Sequence, residues 1–409
     1  MLVNSFTFDR QDSSPDGRVS PFAFLERFSL SDGKHHNYFG KPAMPNLEVL
    51  DHSTIYRNSC PNTVSEYVAF PSVCALKNDT LLCLCRHGSA RESNDALAKV
   101  HRSIDGGRTW QCTGPLPNLP GPDGGAPRSP GGFGVTQEGD VIAWAACETG
   151  DDERTIYSVR SQDGIQWSDF ALFEIAPYPV FYLCMNLARL PDGTLVIPGE
   201  APGGRCPEVP SDHWAGLVSR STDDGRTWES VRSAHVSKNP FYMDLRLTAL
   251  NDGRILGVYW THDMEKDIGL NVHTTFSEDA GRTWTEPQDA GFWGQVTDVC
   301  ELQSGRVIAV TNHRRDPLGI RAILSEDGGQ SFDEANHMEL WGVVPAQVRS
   351  APVLAPKRDV VDNVMHSYHH FTFGTPSVTQ LSDGTIIAAF YVTEESVTYV
   401  RCCRLKERD

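Results

Sequence analysis

One phrase recurs five times along the chain: SIDGGRTW from Ser103 to Trp110, SQDGIQW from Ser161 to Trp167, STDDGRTW from Ser221 to Trp228, SEDAGRTW from Ser277 to Trp284, and SEDGGQSF from Ser325 to Phe332. Copies spaced 48 to 60 residues apart mark a supersecondary unit that buries its apolar face only by stacking on its neighbours. Within each copy, Asp supplies an acceptor for local N–H groups and Gly tolerates positive φ. The Trp or Phe just beyond anchors the turn. A single active site has no use for five copies of a Ser, an Asp and an aromatic ring, so the phrase reads as architecture. The other reading is a sugar or metal site at every turn.

A second periodicity is interleaved with the first. VCALKNDTLLCLCRHG, FGVTQEGDVIAWAACE, LARLPDGTLVIPGEA, LTALNDGRILGVYWTH, VCELQSGRVIAVTNHR and VTQLSDGTIIAAFYVT each place a tight turn, in most cases of Asp-Gly type, between two apolar strands. The first five are each followed by one copy of the phrase. The unit is therefore strand, turn, strand, longer loop, strand, anchored hairpin, strand: a four-stranded antiparallel blade. Six units predict an all-β, six-bladed β-propeller over residues 46–409, as one domain. The sixth unit lacks the phrase and ends in VTYVRCCRL, and LEVLDHSTIYR near the start is the expected closing strand, which removes exposed sheet edges. Residues 1–45 form an N-terminal extension with one candidate hairpin, FSLSDGKHH, and no functional reading. Residues 333–370 interrupt the pattern as a long loop ending in MHSYHH.

With 36 basic against 53 acidic residues the net charge is −17, which argues against nucleic acid and anionic membrane as partners. The N-terminus shows no basic start followed by an apolar h-region, and no run of about 18 apolar residues occurs. A cytoplasmic setting is the expectation. The eleven Cys are an odd number. Cys83, Cys85, Cys184 and Cys300 lie in strand-like runs and read as buried thiols, and the adjacent Cys402 and Cys403 should face opposite ways.

The SxDxGxTW phrase with its upstream turn resembles the Asp-box (BNR) repeat of the sialidase-like six-bladed β-propellers, from about Asn46 to Leu405. The resemblance implies the fold more than the reaction. Where a sialidase opens its first blade with Arg-Ile-Pro, this chain has Ala69, Phe70, Pro71. Where the resemblance implies a nucleophilic Tyr, it has Thr375. The activating Glu of that Tyr corresponds to Asp244, and the second Arg of the carboxylate-binding triad falls on Trp260. Conventional sialidase chemistry is therefore not expected.

In such a fold the chemistry belongs at one mouth of the central channel. Aligning the six turns puts Ser72, Gly132, Asn186, Arg246, Asp298 and Ser377 at one level on the innermost strands, with Asp244 on the same face two residues before Arg246. The second strands end in Arg86-His87, Glu148, Glu200, His262-Asp263 and Asn312-His313-Arg314-Arg315. Arg246 and Asp298 form either a structural ion pair or part of a substrate clamp. Glu92 and Asp95 lie in the first-blade loop and read as solvated charges. Phe181, Tyr182, Phe241, Tyr242, Trp214, Trp260 and Trp293 either stack on sugar rings or pack the blades.

Two functions are compatible with this pattern. The first is a carbohydrate-active enzyme, a glycoside hydrolase or a lyase, acting on a small oligosaccharide that contains an acidic sugar. Arg86, Arg246 and Arg314 would hold the carboxylate. His87 with Asp244 or Glu200 would move protons, and Asp298, His262, His313, Tyr182, Tyr242 and Trp260 would contact substrate. The second is a propeller that binds a glycan or protein without turnover. A metal held by His262, His313 and Asp298 lacks any recognisable ligand spacing, and no cofactor is expected. Oligomeric state is not legible.

Overall fold

Each of the six tight turns adopts the same conformation because its sequence permits only a narrow one. The residue before the turn is buried, its N–H reaches the carbonyl four residues on, and a positive-φ residue folds back onto its carbonyl. In Leu190–Thr194, Leu190 N donates to Thr194 O (2.8 Å) and Gly193 N to Leu190 O (2.9 Å), with Gly193 at φ 88°. The same pair of bonds occurs at Leu76–Thr80, Thr136–Asp140, Leu250–Arg254, Leu302–Arg306 and Leu381–Thr385.

The computed structural model describes residues 46–91, 93–119, 125–148, 154–173, 182–204, 209–342 and 371–408. The expectations for residues 1–45, Glu92, Phe181 and the MHSYHH stretch fall outside these, and the Glu148 side chain is also not described. The described residues form six antiparallel sheets. Blade 1 is Tyr67–Ala75, Leu81–Gly88, Leu97–Ser103 and Gln111–Pro115, and blade 2 is Pro127–Val135, Val141–Glu148, Arg154–Ser161 and Ser168–Leu172. Blade 3 has a broken inner edge, Tyr182–Leu183 and Ala188–Arg189, followed by Leu195–Pro202, Trp214–Ser221 and Arg232–Ser237. Blade 4 is Phe241–Ala249, Ile255–Asp263, Asn271–Ser277 and Gln288–Trp293, with Ile268–Gly269 added beside its second strand; blade 5 is Thr297–Glu301, Val307–His313, Gly319–Ser325 and Met338–Gly342. Blade 6 takes Phe373–Gln380, Ile386–Glu394 and Val397–Glu407 from the end of the chain, and Leu47–Tyr56 from its start as the outermost strand. Inner strands touch in cyclic order and the last meets the first, so the six blades make a closed propeller. One 3-10 turn, Glu334–Asn336, is the only helical element among the described residues.

The second strands of blades 1, 4 and 5 are buried along their whole length, because both faces pack against neighbouring blades. Their apolar side chains build the interblade cores, such as Leu82 and Leu84 with Phe133, Val141 and Tyr157 between blades 1 and 2.

The recurring phrase is a capped turn. Ser103 Oγ donates to Asp105 Oδ1 (2.8 Å) and accepts from Gly107 N (2.9 Å). Asp105 Oδ1 also accepts from Arg108 N and Thr109 N, and Oδ2 accepts from the Thr109 hydroxyl at 2.6 Å. The Trp110 indole N–H closes onto Gly107 O (3.0 Å). Asp223, Asp279 and Asp327 repeat the carboxylate bonds, Asp163 repeats their backbone part, and the indole bond recurs at Trp284.

Candidate active site

The innermost strands meet at the level expected from the turn alignment. Ser72 Oγ donates to Asn186 Oδ1 (2.5 Å), and Asn186 Nδ2 lies 3.0 Å from Asp298 Oδ2 and 2.9 Å from Ser377 Oγ. Ser72 Oγ also accepts from Phe133 N, Ser377 Oγ from Val73 N, and Asp298 Oδ2 from Val378 N. Gly132 completes the level without a side chain, since a Cβ there would stand 2.5 Å from Asn186 N. Burial pushes the Asp298 carboxyl up to about 6, against the opposing charge of Arg246 and the N–H of Val378. These bonds tie five blades together across the channel, blades 1, 2, 3, 5 and 6.

Just towards the strand starts, the inner strands of blades 1, 4 and 6 each carry a register shift, at Ala69/Ser72, Met243/Arg246 and Gly374/Ser377. The inserted residues Phe70, Asp244 and Thr375 have φ of 55°, 52° and 45°. Bulges re-aim side chains, and at Asp244 the consequence is chemical. Its N–H donates to Glu200 Oε2 at 2.6 Å, while its Oδ1 accepts from Arg246 Nε at 2.8 Å. Glu200 Oε2 also accepts from the Trp214 indole N–H (3.0 Å).

Two carboxyl groups from adjacent blades therefore stand together beside a buried guanidinium. Burial raises the Glu200 carboxyl to about 7, and the charge of Asp244 pushes the same way; the donors from Asp244 and Trp214 and the charge of Arg246 oppose it. Glu200 is thus about half protonated near neutrality, while Asp244 is paired with the Arg246 guanidinium. A carboxyl group that keeps its proton up to about neutrality is suited to donate it, and a carboxylate paired with a guanidinium beside it can serve as its partner.

An aromatic and polar wall continues around the mouth through blades 4, 5 and 6. Met243, Trp260 and Val296 pack with Trp214, Phe241 and Phe371. The Arg314 guanidinium lies 3.6 Å from the centroid of the Phe371 ring, donates to Gln295 Oε1 and to Phe373 O, and occupies space that a Cβ on Gly374 would block. Arg91 faces the same ring at 5.9 Å and donates to the Tyr391 hydroxyl at 3.0 Å. Arg314, Gln295, Asn312 and Trp260 are all more than nine-tenths buried. Arg314 Nε, Gln295 Nε2, Trp260 Nε1 and both amide atoms of Asn312 have no hydrogen-bond partner among the described residues. That is four donors against one acceptor. Burial lowers the Arg314 guanidinium to about 10.

Of the residues expected from sequence, Asp244, Glu200, Arg246, Arg314 and Trp260 are placed at this mouth, and Asp298 lies in the ring across the channel. The others have different surroundings. Arg86 donates to Ser93 O within blade 1 rather than joining Arg246 and Arg314. His87 points to the other face of the same strand, where its Nδ1 meets Glu66 Oε1 (2.9 Å) and its Nε2 meets His101 Nε2 (3.1 Å), under the Tyr56 ring. Burial lowers its pKa against the pull of Glu66. The Glu66 carboxyl, held by His87 and despite its own burial, falls to about 2. The two shifts favour opposite charge states for His87, and its near-complete burial decides for a neutral ring. We accordingly assign Nδ1–H as donor to Glu66 and Nε2 as acceptor from His101. His87 thus has partners on both nitrogens, and neither is Glu200 or Asp244.

His262 pairs with Asp267 (3.0 Å), and His313 meets the carbonyls of Arg315 and Pro317. Neither converges with Asp298. Among the described residues, no group of three or more His, Cys, Asp or Glu is placed to hold a metal ion. Tyr242 packs with Tyr259, His235 and His273 between blades, and Tyr182 pairs through its backbone with Glu200. Asp95 receives the Ser89 N–H and hydroxyl, as a loop charge does. Gln295, Phe371, Arg91 and Tyr391 were not singled out from sequence. Gln295 and Phe371 each precede an inner strand by two residues, so aligning strand starts as well as turns would have found them.

Comparisons with known proteins agree with the propeller fold. The model of a BNR repeat-like domain matches residues 133–387, more than half of the chain. A sialidase of Bacteroides fragilis (strain YCH46) is 26% identical over 182 residues, covering 42% of this chain and 32% of the relative; the match thus spans about a third of that protein. Among solved structures, a point mutant of the NanB sialidase from Streptococcus pneumoniae superposes with a TM-score of 0.61 at 12% identity, over 86% of this chain and 70% of that one. Penicillium chrysogenum alpha-L-arabinanase complexed with arabinobiose gives 0.58 at 14% identity, over 87% and 98%. At these identities the structural likeness concerns the fold.

Proposed function

Because the chain belongs to the family of BNR repeat-like domains, we propose that it is a glycoside hydrolase with Glu200 as general acid and Asp244 as its partner carboxylate, acting on a small oligosaccharide that contains an acidic sugar. The observation that carries this reading is the Glu200–Asp244–Arg246 arrangement: a carboxyl raised to about 7 beside a carboxylate held by a guanidinium. Two carboxyl groups flanking a bond are what glycosidic cleavage requires. Glu200 protonates the leaving oxygen. Asp244 supports the positive charge that develops at the anomeric carbon and serves the incoming water. The net change is addition of water across the C–O bond, and no oxidant or cofactor enters the balance.

The acidic part of the reading is supported by Arg314. Its hydrogen bonds to Gln295 and Phe373 go to neutral acceptors, and donors on Gln295, Asn312 and Trp260 have no partner among the described residues. A buried cation with surplus donors favours an oxyanion. The bond from Arg246 goes to Asp244, so Arg314 rather than Arg246 is the candidate carboxylate holder.

The test is product analysis over a panel of acidic oligosaccharides and their methyl esters. Hydrolysis that favours the free acid more than tenfold is the expected result. Glu200→Gln and Asp244→Asn should each lower kcat/KM by about 10²- to 10⁴-fold with melting temperature preserved. Activity should fall as pH rises through about 7, where Glu200 loses its proton. Binding without cleavage across the panel would overturn the enzyme reading, and an unsaturated product would replace hydrolysis with elimination.

A further inference from the structure

We propose that Trp214 is a positioning residue: its indole N–H and the Asp244 N–H together occupy Oε2 of Glu200, so that Oε1 alone carries the transferable proton. The proposal rests on the hydrolase reading for its consequence, but its premise is geometric. Two donors converge on one oxygen, at 3.0 Å from Trp214 Nε1 and 2.6 Å from Asp244 N. A carboxyl oxygen that accepts two N–H bonds has no lone pair well placed for a proton. The proton is thereby assigned to the other oxygen.

Both donors are held by the fold rather than by chance rotamers. Trp214 opens the third strand of blade 3, in register with Pro202, and its ring packs against Phe241 at 5.6 Å between centroids. The Asp244 N–H points at Glu200 from within the bulge of the inner strand of blade 4, where φ is 52°. Neighbouring blades therefore fix the acid from two sides, and Asp244 contributes through its backbone as well as its side chain. The titratable groups facing Glu200 are Asp244 and Arg246 from blade 4, with the Cys184 thiol and Tyr259 also within electrostatic reach.

Trp214→Phe keeps a packing ring and deletes the donor. The donor favours the ionised carboxyl, so removing it should move the alkaline limb of the pH–rate profile upward by about one unit. It should also lower kcat roughly 10- to 100-fold with little change in KM. A merely structural tryptophan would not move the limb. Carboxyl 13C NMR titration of glutamate-labelled protein gives the same answer without turnover, with the Glu200 resonance assigned by its loss in Glu200→Gln. The expected result is a raised Glu200 midpoint in folded Trp214→Phe, confirmed by an unchanged NMR fingerprint elsewhere. An unmoved midpoint and limb would overturn the positioning role. If the wild type hydrolyses nothing, the hydrolase reading fails, while the titration still decides the role of Trp214.

Discussion

At the scale of single residues, Asn186 does the most to join the blades. It sits at φ 58° on the interrupted inner edge of blade 3, and its one amide serves Ser72, Asp298 and Ser377. Asn tolerates the left-handed region better than most residues. Asn186→Leu would strain the backbone and remove partners from buried hydroxyl and carboxyl groups that water cannot reach. We expect a loss of roughly 2–5 kcal/mol in urea unfolding, and an effect below 1 kcal/mol would show that the ring is incidental. The ring itself was legible in the sequence, because six turns of one conformation fix the level and strand alternation fixes the face. The role of Asp298 was not. Sequence pairs it with Arg246, but its Oδ2 is taken by Asn186 and Val378. His87 and Arg86 show a second limit. Their strand is buried on both faces, so no polar–apolar alternation says which neighbours either side chain meets.

At the scale of elements, the recurring phrase contributes through charge as well as shape. Burial pushes the Asp105 carboxyl up, and the bonds from Thr109, Ser103 and Arg108 outweigh it, leaving it at about 2. The Asp163, Asp223, Asp279 and Asp327 carboxyls are lowered in the same manner. A carboxyl whose folded pKa lies below its unfolded value stabilises the fold fully above the unfolded pKa, near 4. That stability is lost as pH falls towards the folded value. Each partly exposed turn is expected to contribute about 1 kcal/mol after allowance for solvent screening. Stability should therefore drop steeply from about pH 4 to 2, and Asp105→Ala should lower it at pH 7 while making the acid slope shallower. Denaturant midpoints measured at several pH values would show this, and an unchanged slope would exclude the turn carboxylates as its source. The phrase was readable because it is local. The bulge that aims Asp244 was not, since a register shift depends on the partner strand as much as on the strand that carries it.

At the scale of the whole molecule, closure rests on one strand borrowed from the other end of the sequence. Leu47–Tyr56 lies along Val397–Glu407 in antiparallel register. Leu47 and Ile55 enter two different interblade cores. Asp51 pairs with Arg404 at 2.6 Å, and the Ser53 hydroxyl donates to Gly107 O in the first capped turn. Tyr56 then donates to Glu66, whose other oxygen meets His87, so the borrowed strand is tied to blade 1 as well as blade 6. Removing residues 46–56 would strip an eleven-residue strand of its outer partner and leave two cores open. Ladder bonds and buried apolar groups together make that loss roughly 5–15 kcal/mol, comparable to the whole stability of a domain. The variant is expected to lose its cooperative melting transition and to associate through the bared edge, seen as a shift to larger species in size-exclusion chromatography. The distant mouth supplies the contrast. Glu200, Asp244 and Trp214 lie in blades 3 and 4, so if those blades kept their structure without the closing strand, the Glu200 midpoint would persist in the truncated protein. Because each inner strand is held through the ring by the others, we expect that midpoint to fall towards an ordinary glutamate value together with the melting transition.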